Sequence, residues 1–341
     1  INDTIARFEK DNPGIKISAE RGQSGPAYME KVMTQIAGGA APDVIFVSSD
    51  DIVLFATRNL LVDLVPHIKK DNFPIDGYYK SITDRFRYKG KLFVIPRDIA
   101  PVACLYYNKK LFDEAGLRYP TDNWNYMEFL EMAKKLVKRD AQGRIIQFGY
   151  VDDWPLWEPW VLTFGGTIVD NVKNPTKCTL DQPKAIAGIQ FRSDLINKHK
   201  VAPSPSQMTA MGGMGTADMF VSGNAAMFLS GIWKTPSFRQ IRNFQWDVVM
   251  FPRGLDGKRA FTSGGSGYSV VKTSKNKEAA WKLVTYLAGQ DGQVKLAQTG
   301  LAQPAMKKIA NSKYFLDGRD PANKKVVLEG VKYAKFMPLM S

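Results

Sequence analysis

From one end of the chain to the other, segments with apolar residues three or four positions apart alternate with short β-rich runs. That alternation predicts an α/β protein whose sheets are built from parallel βαβ units. Residues 15–19 and 43–47 read as strands flanking a helix with Met29, Val32, Met33 and Ile36 on one face, ended by Gly38-Gly39. Further strands are expected over 92–95, 102–107 and 225–229. An amphipathic helix is expected over 124–138, entered through Thr121-Asp122-Asn123. Another is expected around Ile186, Ile189 and Ile196, and a last one over 324–335. With 341 residues the chain can bury two cores. Chain crossings near Tyr106-Tyr107-Asn108-Lys109 and in the strand after Gly267 divide it into two discontinuous lobes, 1–107 plus 267–303 and 108–266 plus 304–341. Such hinged lobes close on a ligand held in the cleft between them.

Several function classes lack their residues. The formal charge of +14 comes from scattered pairs such as Lys69-Lys70 and Lys134-Lys135, with no groove-reading motif beside them, so no nucleic-acid partner is expected. No apolar run approaches the roughly 18 residues that span a bilayer. His67 and His199 are the only histidines and lie far apart, which removes the base of zinc-hydrolase and Ser-His-Asp readings. No Gly-x-Ser-x-Gly elbow occurs, and no cofactor or metal is implied. Cys104 and Cys178 give no support for a disulfide, and the chain starts without a signal peptide. A glycoside hydrolase needs only two well-placed carboxylates and stays open on residue types alone.

Binding chemistry concentrates in four segments. Ser48, Ser49 and Asp50 follow a predicted strand; a carboxylate there can accept two hydroxyl hydrogen bonds, or Ser49 or Asp50 can cap the next helix. Arg97 and Asp98 offer a donor fork and an acceptor, or an internal ion pair. Asp152, Asp153, Trp154 and Trp157 alternate carboxylates with indoles, a combination suited to pyranose rings, whose edges hydrogen-bond and whose C–H faces stack on π surfaces. The alternative for Trp157 and Trp160 is a helix core reaching Phe164. Last come Trp233 and the loop Ser263, Gly264, Gly265, Ser266, whose glycines permit close approach of backbone to ligand. Neither this loop nor Gly212-Gly213-Met214-Gly215 carries the Lys-Ser or Lys-Thr of a phosphate-binding loop.

The run Ser222-Gly223-Asn224-Ala225-Ala226-Met227-Phe228-Leu229-Ser230-Gly231-Ile232-Trp233 resembles the signature of the family 1 extracellular solute-binding proteins, the sugar-capturing components of ABC importers. Phe8-Glu9-Lys10-Asp11-Asn12-Pro13-Gly14, Ala41-Pro42-Asp43-Val44, Tyr107-Asn108-Lys109-Lys110-Leu111-Phe112 and Glu278-Ala279-Ala280-Trp281 resemble the family in the same order. The resemblance implies a type II, periplasmic-binding-protein-like fold with an interlobe cleft. It also implies a monomeric extracytoplasmic receptor, periplasmic or a cell-surface lipoprotein, that binds and does not catalyse. Trp233 would form the floor under a mono- or oligosaccharide, and the receptor would hand it to permease subunits powered by an ATPase. An acidic sugar is admitted by the Arg97-Asp98 pair. The alternatives within the fold are receptors for polyamines, iron or another anion.

Overall fold

The computed structural model describes residues 2–20, 25–172 and 174–338. The strands that position the candidate residues are β1 (Val44–Ser48), β2 (Ile95–Pro101), β3 (Cys104–Asn108), β4 (Val151–Asp152), β5 (Met227–Ser230), β6 (Trp246–Met250), β7 (Phe261–Val270), β8 (Gln303–Pro304) and β9 (Ala334–Phe336). The helices used below are α1 (Tyr126–Lys135), α2 (Glu158–Thr163), α3 (Pro183–Asn197), α4 (Lys277–Ala288) and α5 (Lys325–Gly330). Among the described residues no helix is long and apolar enough to cross a membrane.

The described residues form two compact units, 2–99 and 264–315 in the first and 100–263 and 316–338 in the second. The sequence reading placed its crossings at 107, 266 and 303. Residues 1 and 339–341, the outer ends of the expected lobes, lie outside the described residues.

In the first unit the strand order is β1-β7-β2-β8. β1 runs antiparallel to β7 with Ser48 opposite Ser266, and β8 runs antiparallel to β2 with Pro304 opposite Asp98. Trp281 of α4 is buried and its indole N–H donates to Asp71 at 2.6 Å. A cavity of about 870 Å³ opens within this unit, lined by Ile17, Tyr28, Phe46, Arg97 and Leu283 among others. The expected strand over 15–19 is a correction: these residues carry no strand assignment. The Ile17 N–H donates to the Glu9 carboxylate at 2.8 Å instead of to a ladder.

In the second unit the order is β6-β3-β5-β4. β6 and β5 flank β3 antiparallel, and β4 pairs with β5 in parallel. Packed aromatics fill this unit: Tyr106 meets Phe238 edge-on at 4.9 Å, and Trp160 lies 4.7 Å from Phe251 and 4.8 Å from Phe191. The α/β class is therefore as expected, while the expectation of largely parallel sheets is corrected. Hydrophobic periodicity reports which face a strand buries, not the direction of its partner.

Three local corrections follow from side-chain chemistry. The cap of α1 is Asn125, not the Thr121-Asp122-Asn123 run: its Oδ1 accepts from the Met127 and Glu128 N–H groups, and Glu128 returns a bond to the Asn125 N–H. The last predicted helix stops at Gly330, and β9 follows, pairing in parallel with Phe261–Ser263 at the start of β7. On α3, Ile186 and Ile189 are exposed, and the packed face is Ala185, Gly188 and Leu195. A Cβ on Gly188 would come within 2.7 Å of the Trp160 carbonyl oxygen and the Val161 Cα, so only glycine lets α3 approach α2 this closely.

Candidate functional site

Each unit carries one group of candidate residues, at strand ends in the second unit and largely within strands in the first. In the second unit β4 ends at Asp152 and β5 at Ser230, so the segments leaving these parallel neighbours emerge side by side. The Asp153 N–H donates to the Leu229 carbonyl at 3.0 Å, which extends the pairing one residue beyond the strand. The Asp153 carboxylate then gathers three donors. Its Oδ2 accepts from Ser230 Oγ at 2.8 Å and from the Trp233 indole N–H at 3.3 Å, while Oδ1 lies 2.8 Å from Lys234 Nζ.

With its N–H held this way, the Trp233 ring lies against Trp154, centroids 6.1 Å apart and planes 18° from parallel. Trp154 is 44% exposed, the most exposed of the large aromatics named in this unit. Gly231 makes the arrangement possible: a Cβ there would fall 1.8 Å from the Trp233 ring. Its carbonyl is fixed in turn by the buried Tyr106 hydroxyl, which donates to it at 3.0 Å.

Asp152, next in sequence, is buried and faces the other way. Arg192 on α3 grips it with Nη2 at 3.0 and 2.9 Å from the two carboxylate oxygens and Nε at 3.3 Å. Burial pushes the Asp152 carboxyl up to about 6 even though Arg192 pulls it down. Trp157 is half-buried at the mouth of α2 and Trp160 is fully buried within it, so the helix-core alternative describes Trp160. Glu158, also half-buried, has its carboxyl raised by burial.

In the first unit Asp98 is 3% exposed and its carboxylate is fully engaged. Oδ1 accepts from the Ser266 N–H at 2.9 Å, and Oδ2 accepts from Ser266 Oγ at 2.7 Å and Arg97 Nε at 2.6 Å. Of the two readings of Arg97 and Asp98, the internal ion pair is the contact present. The Arg97 guanidinium also lies 5.0 Å from the Phe46 ring centre. Ser49 is buried, donates its N–H to the Gly265 carbonyl at 2.9 Å and accepts from Arg85 Nε at 3.0 Å. Arg85 continues to the exposed Asp50 at 3.1 Å. Ser48 closes β1, and the residue at the head of the following helix is Asp51, so neither Ser49 nor Asp50 caps it.

The segment from Ser263 to Ser266 is a correction in form: it is not a loop but the middle of β7. Gly265 serves close strand packing, since a Cβ there would lie 2.8 Å from the Asp98 carbonyl and 2.6 Å from Ile82, whereas one on Gly264 would make only ordinary contact, 3.7 Å from Ser49 Oγ. Ser263 is buried opposite Phe336 in the part of β7 that belongs to the second unit, while Gly264, Gly265 and Ser266 belong to the first.

The structure thus brings together Asp153, Trp154 and Trp233, and separately Ser49, Asp50, Gly265, Arg97, Asp98 and Ser266. Arg85, Arg192, Ser230 and Lys234 were missed. Ser230 and Lys234 flank the signature tryptophan and were legible as neighbours; Arg85 and Arg192 carried no local signal. Cys104 and Cys178 are both free thiols. Among the described residues no three His, Cys, Asp or Glu side chains form a metal-binding group.

An ABC substrate-binding protein from Listeria monocytogenes, solved in complex with cycloalternan, superposes with a TM-score of 0.89 at 28% identity, covering 100% of this chain and 85% of that one. MalE3 of T. maritima, solved with maltose bound, superposes with a TM-score of 0.82 at 25% identity over 99% of this chain and 85% of its own. The galactooligosaccharide-binding protein of Bacillus subtilis is 25% identical over 91% of this chain and 71% of its own length. The family model for bacterial extracellular solute-binding proteins matches residues 1–294, and the chain belongs to that family.

Proposed function

We propose that this protein binds a sugar or oligosaccharide reversibly and delivers it to the membrane permease of an ABC importer, acting outside the cytoplasm as a monomer and without catalysing a reaction. The observation that carries the reading is the Trp154–Trp233 pair beside a carboxylate that holds one indole in place. Flat apolar faces next to charged and hydroxyl groups match the two-sided chemistry of a pyranose, apolar across its C–H face and polar around its rim. In this reading Trp154 and Trp233 stack on the sugar. Ser48, Asp50, Gly264 and Trp157 are further ligand contacts, and Asp98, Asp152 and Ser266 hold the contact segments in shape. The sugar-bound relatives support the same ligand class.

Titration calorimetry of the protein with neutral oligosaccharides, uronic-acid oligosaccharides, polyamines and ferric citrate tests the reading, with each sugar recovered and checked for cleavage. Saturable heat from an intact oligosaccharide is expected. Heat only from polyamine or iron, or a cleaved sugar, would overturn it.

A further inference from the structure

The face of α3 that packs inward carries Ala185, Gly188 and Leu195, and Arg192 belongs to the same face by its spacing of seven from Ala185 and three from Leu195. A single arginine on an otherwise small and apolar face needs an anion to be buried there. Asp152 is that anion. Its carboxylate receives the guanidinium through both oxygens. The Asp152 side chain therefore ties the start of the segment that presents Asp153 and Trp154 to α3. The Arg192 side chain is 17% exposed and the Asp152 side chain 10%, so water is a poor substitute partner for either charge.

We propose that Arg192 is a positioning residue for the sugar site: by neutralising Asp152 it fixes the segment on which Trp154 meets Trp233 and Asp153 holds the indole N–H. The proposal rests on the sugar-binding reading for its function, though its geometric part stands without a ligand. At a pH above the raised range of the Asp152 carboxyl, removing the guanidinium leaves a buried carboxylate uncompensated. That charge relaxes by drawing the 152–156 segment outward, and the Trp154–Trp233 stack opens with it. Removing both charges leaves a neutral amide with no charge to desolvate, and the stack survives.

The test reads the ligand-free protein first, at alkaline pH so that Asp152 is ionised. Coupled indoles give a near-ultraviolet circular dichroism signal, identified here as the part that Trp154→Phe abolishes. Arg192→Met is expected to lose that signal and to weaken oligosaccharide binding roughly tenfold or more. Arg192→Lys, which keeps the charge, and the double variant Arg192→Met/Asp152→Asn are expected to regain the signal and to bind within about threefold of the parent. A normal signal and affinity in Arg192→Met would overturn the proposal. So would a double variant no better than Arg192→Met, since the arginine would then act by packing alone. If Arg192→Met does not fold, a folded double variant with the signal supports the charge role and an unfolded one refutes it. Should the parent bind no sugar while the signal follows Arg192 as described, the functional reading fails and the positioning role holds.

Discussion

The indole N–H of Trp233 donates to Asp153 Oδ2 at 3.3 Å, which spends the ring's one polar group inside the protein and leaves its faces for apolar contact. A tryptophan anchored by its edge cannot swing away when a ligand arrives, so little ordering cost is left for binding.

Trp233→Ala removes a pre-set stacking face. Loss of a buried aromatic anchor costs about 2–3 kcal/mol in binding, a roughly 30- to 150-fold rise in Kd. Titration calorimetry should show that rise while the melting temperature changes little, because Trp233 is only half-buried. Asp153→Asn should weaken binding less, since an amide oxygen still accepts from Ser230 and Trp233 while the Lys234 ion pair is lost.

Gly231→Ala adds one methyl group where the Trp233 ring lies 1.8 Å from the new Cβ position. Gly231 has a φ of −101°, so the backbone tolerates alanine and the conflict is with the ring alone. The ring must leave its place against Trp154. Tryptophan fluorescence of the free protein should change and sugar affinity should fall about as far as in Trp233→Ala. Retained affinity would show that the ring position is not what binds.

Sequence pattern revealed the alternation of helices and strands because burial imposes its period on the residues themselves. It did not reveal that β3 runs antiparallel to both β5 and β6, because a buried strand such as Cys104–Asn108 presents the same apolar residues to either partner direction. Glycines misled for a related reason. Gly264 and Gly265 read as a loop, yet both lie within β7, which needs a glycine at 265 where Asp98 and Ile82 press against it. On α3 the isoleucines suggested the packed face and Gly188 decided it, since a gap too narrow for any Cβ selects the smallest residue and not the most apolar. For the candidate site, the tryptophans and aspartates were conspicuous as residue types. Arg85 and Arg192 were not, because each acts on a partner distant in sequence.

Asp98→Ala should destabilise the first unit. Its carboxylate answers Arg97 and both donors of Ser266, and the Arg97 side chain is 21% exposed. Removing one partner of a buried pair costs about 3 kcal/mol or more. Chemical denaturation should show a lower midpoint with an unchanged slope. Asp98→Asn, which keeps an acceptor for the Ser266 N–H, should fall between the two.

Asp51 supplies a pH test with a definite sign. Burial and the neighbouring Asp50 charge push its carboxyl up to about 6 from an ordinary 3.8. Because the folded state holds this proton more tightly than the unfolded chain, the group's favourable contribution is complete below about pH 3.8 and is lost as pH rises toward 6. Above that range the folded protein carries a disfavoured charge. Asp51→Asn, with no charge to desolvate, should therefore raise the melting temperature relative to the parent at pH 7 and leave the two equal near pH 4. Thermal unfolding followed by circular dichroism across that interval reads the difference directly. A variant less stable than the parent at pH 7 would mean that the carboxylate is stabilised in the folded state, with its pKa depressed instead of raised.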